Sequence, residues 1–273
     1  MDKKIRRLND ASRSGKSVME TLEKRLVNKY DKEMYNQFFF DYYGQSDFYN
    51  LGYWTKQTQY PKEACENLME KLLDYLSEKK DNILDVACGK GATSRYLTKY
   101  YPPSDIVGIN ISQKQLETCR INMPESEFIQ MNATNMNFDD STFDNIICVE
   151  AAFHFSSREK FLEETLRVLK PGGHLLLSDM LFVKFRKGDS AENYVKNINE
   201  YKKIFDDLGF IDVEVIDTTK ESWGGHRKAV MKWMWDKFRT GKANLKQLIY
   251  IDYRLIELSL KLKHYLLVHA KKP

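Results

Sequence analysis

From residue 82 onward, seven short apolar runs alternate with stretches of helical periodicity, a rhythm that few folds accept. The runs cover residues 82–87, 105–110, 127–132, 144–150, 174–180, 212–217 and 264–271. Each is rich in Ile, Val and Leu and is bounded by polar or turn residues, as strands are. Between them lie helix starts. Ser112-Gln-Lys-Gln115 and Ser156-Ser-Arg-Glu159 have the capping-box spacing, in which a hydroxyl accepts from a backbone amide and Glu or Gln bonds back. Lys170-Pro-Gly-Gly173 is expected to stop one helix and turn the chain into the next strand. Ala191, Tyr194, Val195, Ile198, Tyr201, Phe205 and Leu208 repeat at helical spacing up to a Gly209 cap. Repeated strand–helix–strand units need right-handed crossovers. The expected fold is therefore α/β: a doubly wound, mostly parallel, seven-stranded Rossmann-like sheet.

Two pieces fall outside that rhythm. Residues 1–80 show no strand pattern, and Ala64, Leu68, Leu72 and Leu76 mark an amphipathic helix within them. Residues 218–263 hold Trp223, Trp233 and Trp235, three of the four tryptophans, and suggest a helical, aromatic-rich cap. The expected organisation is thus an N-terminal helical lid (1–80), an α/β core (81–217), a cap insertion (218–263) and a last core strand (264–273). Cys65, Cys88, Cys119 and Cys148 form no C-x-x-C pair, so neither a disulfide framework nor a cysteine metal site is indicated. No apolar run is long enough to span a bilayer and no signal sequence is visible, which points to the cytoplasm and against stable membrane insertion. Residues 1–30 carry nine Lys and Arg against four Asp and Glu. With no aromatic or Gly pattern accompanying it, that charge reads as a solvated helix face, not a nucleic-acid site.

The chemistry concentrates in Leu84-Asp85-Val86-Ala87-Cys88-Gly89-Lys90-Gly91, at the end of the first strand. Glycines there let the backbone turn tightly and approach a ligand. The string is not a G-x-x-x-x-G-K-[ST] phosphate loop. It fits the dinucleotide fingerprint poorly, because the third small residue arrives as Ser94. Asp85 would repel a pyrophosphate and suits a ligand carrying an ammonium or sulfonium.

That string resembles motif I of class I S-adenosylmethionine-dependent methyltransferases, and the resemblance runs over about residues 50–180. It implies that Gly89, Gly91 and Ala87 border the methionine part of the cofactor and that Asp85 faces its amino group. Gly108-Ile-Asn110-Ile111-Ser112 stands where the family places a ribose-binding acid, with Asn110 in place of the carboxylate. Asn132-Ala133 stands where adenine is bound. Glu150-Ala-Ala-Phe-His154 and the 170–173 turn resemble the segments after the fourth strand and the following helix. Tyr49-Asn-Leu-Gly-Tyr53-Trp54 resembles an aromatic segment that covers the cofactor, which implies Tyr53 and Trp54 as lid residues. The implied cofactor is S-adenosylmethionine, with S-adenosylhomocysteine as product.

The nearest branch in this resemblance is the small-molecule (sugar and natural-product) O-methyltransferases. There a His after strand four acts as base with an Asp after strand five, places held here by His154 and Asp179. A hydroxyl acceptor must lose a proton, and histidine suits that task. His226 is a weaker candidate. No metal-binding carboxylate cluster is visible beyond Asp179 itself, so no metal is expected. The partner expected is a small-molecule substrate; homo-oligomer formation is left open. Two other readings stand: an enzyme methylating a lipid, phosphobase, sterol or quinone, and a cofactor-binding module without catalysis.

Overall fold

The structure is a computed structural model that describes residues 23–184 and 190–273. The basic stretch within residues 1–22 lies outside the described residues. Seven strands form one sheet in the order β3-β2-β1-β4-β5-β7-β6. They are β1 (Ile83–Val86), β2 (Ile106–Asn110), β3 (Glu127–Gln130), β4 (Phe143–Val149), β5 (Leu169–Phe182), β6 (Ile211–Asp217) and β7 (Leu262–Lys271). The first five are parallel; β7 runs antiparallel to both β5 and β6. This is the doubly wound, Rossmann-like sheet expected from the sequence.

Apolar side chains along the central strands go alternately to the two faces. In β4, Ile147 joins one core while Ile146 and Cys148 join the other. Alternation with every residue apolar is what a strand needs when both faces are covered. On one face lie α3 (Pro61–Leu73), α4 (Ala92–Leu97) and α5 (Gln113–Asn122), with Leu68, Leu72 and Leu97 fully buried. On the other lie α6 (Arg158–Val168) and α7 (Ile198–Leu208), with Phe161, Tyr201 and Phe205 fully buried. The four cysteines are free and buried. A helical run at residues 23–34 (α1) and α2 (Gln37–Tyr42) precede the core. Between β6 and β7 lie α8 (Gly225–Arg239) and α9 (Leu245–Lys261).

Several boundaries differ from the sequence reading. The β3–β4 connection has no helix. Its Asn-, Asp- and Thr-rich stretch is a loop, held by Arg167 donating to the carbonyls of Met136 and Phe138 and by Glu164 accepting from the Met136 amide. Helix α6 is capped by Ser157, which accepts from the Lys160 amide, so the expected Ser156–Glu159 box is displaced by one residue. Ser112 caps α5 as expected, but the Gln115 side chain bonds elsewhere. Helix α7 starts only at Ile198, because Asn197 caps it, and it ends in left-handed Gly209. Strand β5 starts five residues early. Leu169 already pairs with Phe143, and residues 170–173 bulge out through left-handed Gly172 before His174 pairs with Asn145.

At this end of the sheet the His174 and His269 rings stack with a 2.9 Å nitrogen–nitrogen contact, and Tyr75 stacks on His269. Burial first, and then the neighbouring imidazole, pushes His269 down to about 4; burial also lowers His174. Folded-state values below the unfolded value mean that this pair contributes fully at neutral pH. The contribution is lost as pH falls from about 6.5 towards 4. His269→Gln is therefore expected to lose less thermal stability than the wild type between pH 7 and 4.5. Equal losses in the two proteins would contradict this account of the pair.

Candidate active site

A cavity of about 210 Å³ opens at the carboxyl edge of β1, β2 and β4, where ligands bind in open α/β sheets. Its floor is the turn after β1. Ala87 and Gly89 both have φ in the left-handed region (59° and 57°), and a Cβ on Gly89 would lie 3.0 Å from Met34 Cε. Gly91 does not line the cavity. It caps α4 at φ 82°, and a Cβ there would press on Cys119 Sγ at 3.0 Å, so its part is to shape the turn. Lys90, between the two glycines, turns aside to an ion pair with Asp47 at 2.7 Å.

Asp85 reaches the cavity from the penultimate position of β1 and is 1% exposed. Thr93 and Ser94 hydroxyls donate to its Oδ2 at 2.5 and 2.6 Å, so the small residue at 94 serves the carboxylate. Burial raises Asp85 to about 6 despite those donors. Glu150 stands after β4 at φ 52°, an uncommon conformation for a side chain of its kind. Its Oε1 accepts from the Leu51 amide and the Tyr265 hydroxyl, each at 2.6 Å, and burial pushes it up to about 8. Glu23, Asp47, Asp85 and Glu150 line the cavity, and among the described residues no Lys or Arg does. Burial holds Asp85 and Glu150 above their ordinary range, and among the described residues no Lys or Arg on the wall would pair an anionic ligand. A cation fits there and a pyrophosphate does not.

Asn110 ends β2, donates to the Gly89 carbonyl at 3.3 Å and to Gln115 Oε1 at 2.9 Å, and lines the cavity beside Ile111. Asn132 and Ala133 follow β3 on the same wall. The structure thus gathers Asp85, Ala87, Gly89, Asn110, Ile111, Asn132, Ala133, Glu150 and His154 around one space. A polar pair of asparagines, apolar Ile111 and Ala133, and the buried Asp85 carboxyl fit the hydroxyls, the ring and the cationic end of S-adenosylmethionine respectively.

Other expected site residues stand elsewhere. Tyr53 and Trp54 are not on the cavity wall. The Tyr53 amide donates to Ala64 of α3; the Trp54 ring donates to the Leu51 carbonyl and lies against Gly225. Left-handed Gly52 packs on Ala64 and fixes this anchor, so the wall is built by Phe48, Tyr49 and Asn50 instead. Trp223 is buried, Trp233 packs edge-on to Phe38 and Tyr42, and Trp235 is exposed; none lines the cavity. His226 also lies outside it, buried beneath Tyr42 and pushed down to about 4 by burial.

Asp179 is fully buried and does not reach the cavity. It accepts from Arg158 Nε at 2.7 Å and from the Tyr201 hydroxyl at 2.8 Å. Arg158 continues to the Asn193 carbonyl, and Asn193 donates to the carbonyl of Ala152 at 3.0 Å. Asp179 therefore supports the short turn Ala152–His154 from beneath. The partner that the structure gives the His154 Nε2 is the Tyr30 hydroxyl.

Tyr30 belongs to α1, which covers the cavity with Glu23, Leu26, Val27, Tyr30 and Met34. The helix is tied to the rim at three places: Glu23 accepts from Asn132 at 2.6 Å, Tyr30 meets His154, and Asp31 accepts from Ser112 and Gln115 at 2.7 Å. None of these residues is marked by a motif. The one signal available was the run of charges at helical spacing.

Residues 84–177 match the family model described as Methyltransferase domain. A phthiotriol/phenolphthiotriol dimycocerosates methyltransferase of Mycobacterium leprae is 34% identical over 122 residues, covering 44% of this chain and 45% of that protein. The chain thus matches about half the length of such curated relatives. The erythromycin 3''-O-methyltransferase of Saccharopolyspora erythraea is 29% identical over 203 residues, 64% of this chain and 66% of that protein. In fold, the crystal structure of the cyclase SpnF superposes with a TM-score of 0.69 at 16% identity, covering 92% of this chain and 97% of that one. Residues 84–177 thus resemble a methyltransferase domain, on a Rossmann-like sheet, and the cofactor that the cavity fits is S-adenosylmethionine.

Proposed function

We propose that this protein transfers a methyl group to a hydroxyl of a small molecule, a sugar or a secondary metabolite, with His154 as the base. The observation that carries this reading is the Tyr30–His154 hydrogen bond inside the cavity that holds the glycine turn. When bound, the cofactor supplies an electrophilic methyl on a positively charged sulfur. Asp85 holds the cofactor's amino group, and Asn110 and Asn132 hold its ribose and adenine. Helix α1 shields the cavity from water, which strengthens each of these contacts. With His154 Nε2–H donated to the Tyr30 hydroxyl, the other ring nitrogen, Nδ1, takes the proton of the acceptor hydroxyl as its oxygen takes the methyl. Tyr30 keeps the ring in place; Asp179, committed to Arg158, has the supporting role described above.

Similarity to an O-methyltransferase supports an oxygen acceptor. A lipid alcohol is the second reading, favoured by the apolar wall of Leu26, Val27, Met34, Phe48 and Phe155 and by likeness to a protein named for phthiotriol substrates. Incubation with methyl-labelled cofactor and a panel of glycosides, hydroxylated polyketides and long-chain diols separates the two. Label is expected in an ether on an acceptor of the first two classes. An ether formed on the diols alone moves the reading to lipids, and label on nitrogen or carbon contradicts it.

A further inference from the structure

Helix α9 carries two apolar faces, and the fold uses one. Leu248 and Leu255 are buried against the body of the protein. Leu245, Ile249, Tyr253, Ile256 and Leu260 are exposed, at 43 to 74%. Spaced by four, four, three and four residues, they fall within an arc of about 80° at 3.6 residues per turn. A contiguous apolar stripe of this length on a water-facing helix marks an interaction surface. The helix ends where Leu262 of β7 pairs with Phe182, at the carboxyl end of β5. The stripe therefore belongs to the helix that reaches the sheet on the cavity's edge.

The charge around it identifies the partner. Residues 225–263 hold ten Lys and Arg against three Asp and Glu, a net +7 in a chain whose total is +4. One of the three acids, Glu257, is already paired with Arg254 at 2.9 Å and Lys261 at 2.5 Å. Two copies of such a face repel each other, and so does the basic segment 1–22, with six Lys and Arg against three Asp and Glu. An anionic bilayer surface offers both complements: negative headgroups for the lysines and an acyl boundary for the stripe. Among the described residues no helix is long and apolar enough to cross a membrane, so this contact lies in the interface plane.

We propose that α9 docks this protein on anionic membranes, its exposed stripe entering the headgroup boundary. The test is flotation with vesicles of phosphatidylcholine containing one quarter phosphatidylglycerol, against phosphatidylcholine alone. Binding of S-adenosylhomocysteine and the oligomeric state are measured in parallel. The wild type is expected to partition at least tenfold more onto the anionic vesicles, less so at high salt. Ile249→Glu with Leu260→Glu is expected to lose at least tenfold of that partitioning with cofactor binding unchanged. If this variant fails to bind S-adenosylhomocysteine, Ile249→Ser with Leu260→Ser replaces it. Undiminished vesicle binding by the folded variant would assign the contact to another segment and overturn the proposal. So would no preference for anionic vesicles, or a wild-type dimer that the substitutions dissociate.

Discussion

His154→Ala is expected to lower kcat by about 10²–10⁴-fold, the range general-base catalysis supplies, while S-adenosylhomocysteine affinity stays nearly unchanged. The affinity is spared because the groups proposed to hold the cofactor, Asp85, Asn110 and Asn132, stand on other elements of the wall. Tyr30→Phe removes only the phenol hydroxyl that holds Nε2 and is expected to give a smaller loss in the same direction. The double variant should lose less than the sum, because the two groups act as a unit. Asp179→Asn acts differently. It leaves Arg158 buried beside a neutral amide, and breaking such a pair typically costs about 3–5 kcal/mol of stability, read as a lowered denaturant midpoint. Full activity in His154→Ala would mean that proximity alone drives the transfer.

The second large effect concerns Asp85. Its carboxyl is raised to about 6 by burial, so it is charged at neutral pH and protonated below that value. An ammonium binds the charged form. Affinity for S-adenosylhomocysteine should therefore fall as pH drops through about 6. Asp85→Asn keeps the volume and an acceptor for Thr93 and Ser94 but loses the charge. A charge-assisted hydrogen bond contributes about 1.5–3 kcal/mol, so roughly a ten- to hundredfold loss of affinity is expected at pH 7.5. The same variant should flatten the pH dependence around 6, which a merely loosened turn would not do.

The parts of this molecule that could be read from the sequence are those whose cause is local. Strands β1, β4 and β5 are largely buried on both faces and so show short apolar stretches, Ile83-Leu84, Ile146–Val149 and Leu175–Leu177. The turn at Gly89 and the acid at Asp85 are legible because backbone geometry and charge restrict which residues can stand there. Most of the failures come from pairing across the sequence. Glu23, Tyr30 and Asp31 read as an ordinary helix face, yet their partners Asn132, His154 and Ser112 lie 81 to 124 residues away. Asp179 lies within β5 towards its carboxyl end, but Arg158, 21 residues earlier, claims it. In the aromatic segment, residue type drew attention to Tyr53 and Trp54, whereas left-handed Gly52 turns those two away and leaves Tyr49 and Asn50 on the wall.

The central claim is that the cavity after β1 binds a cationic adenosyl cofactor and not a dinucleotide. Titration calorimetry of the purified protein with S-adenosylmethionine, S-adenosylhomocysteine and NAD, each at pH 7.5, tests it most directly. Saturable binding of the first two, weakened in Asp85→Asn, with no heat from NAD, is the predicted result. Tighter binding of NAD than of either adenosyl compound, or S-adenosylmethionine binding that Asp85→Asn leaves untouched, would contradict it.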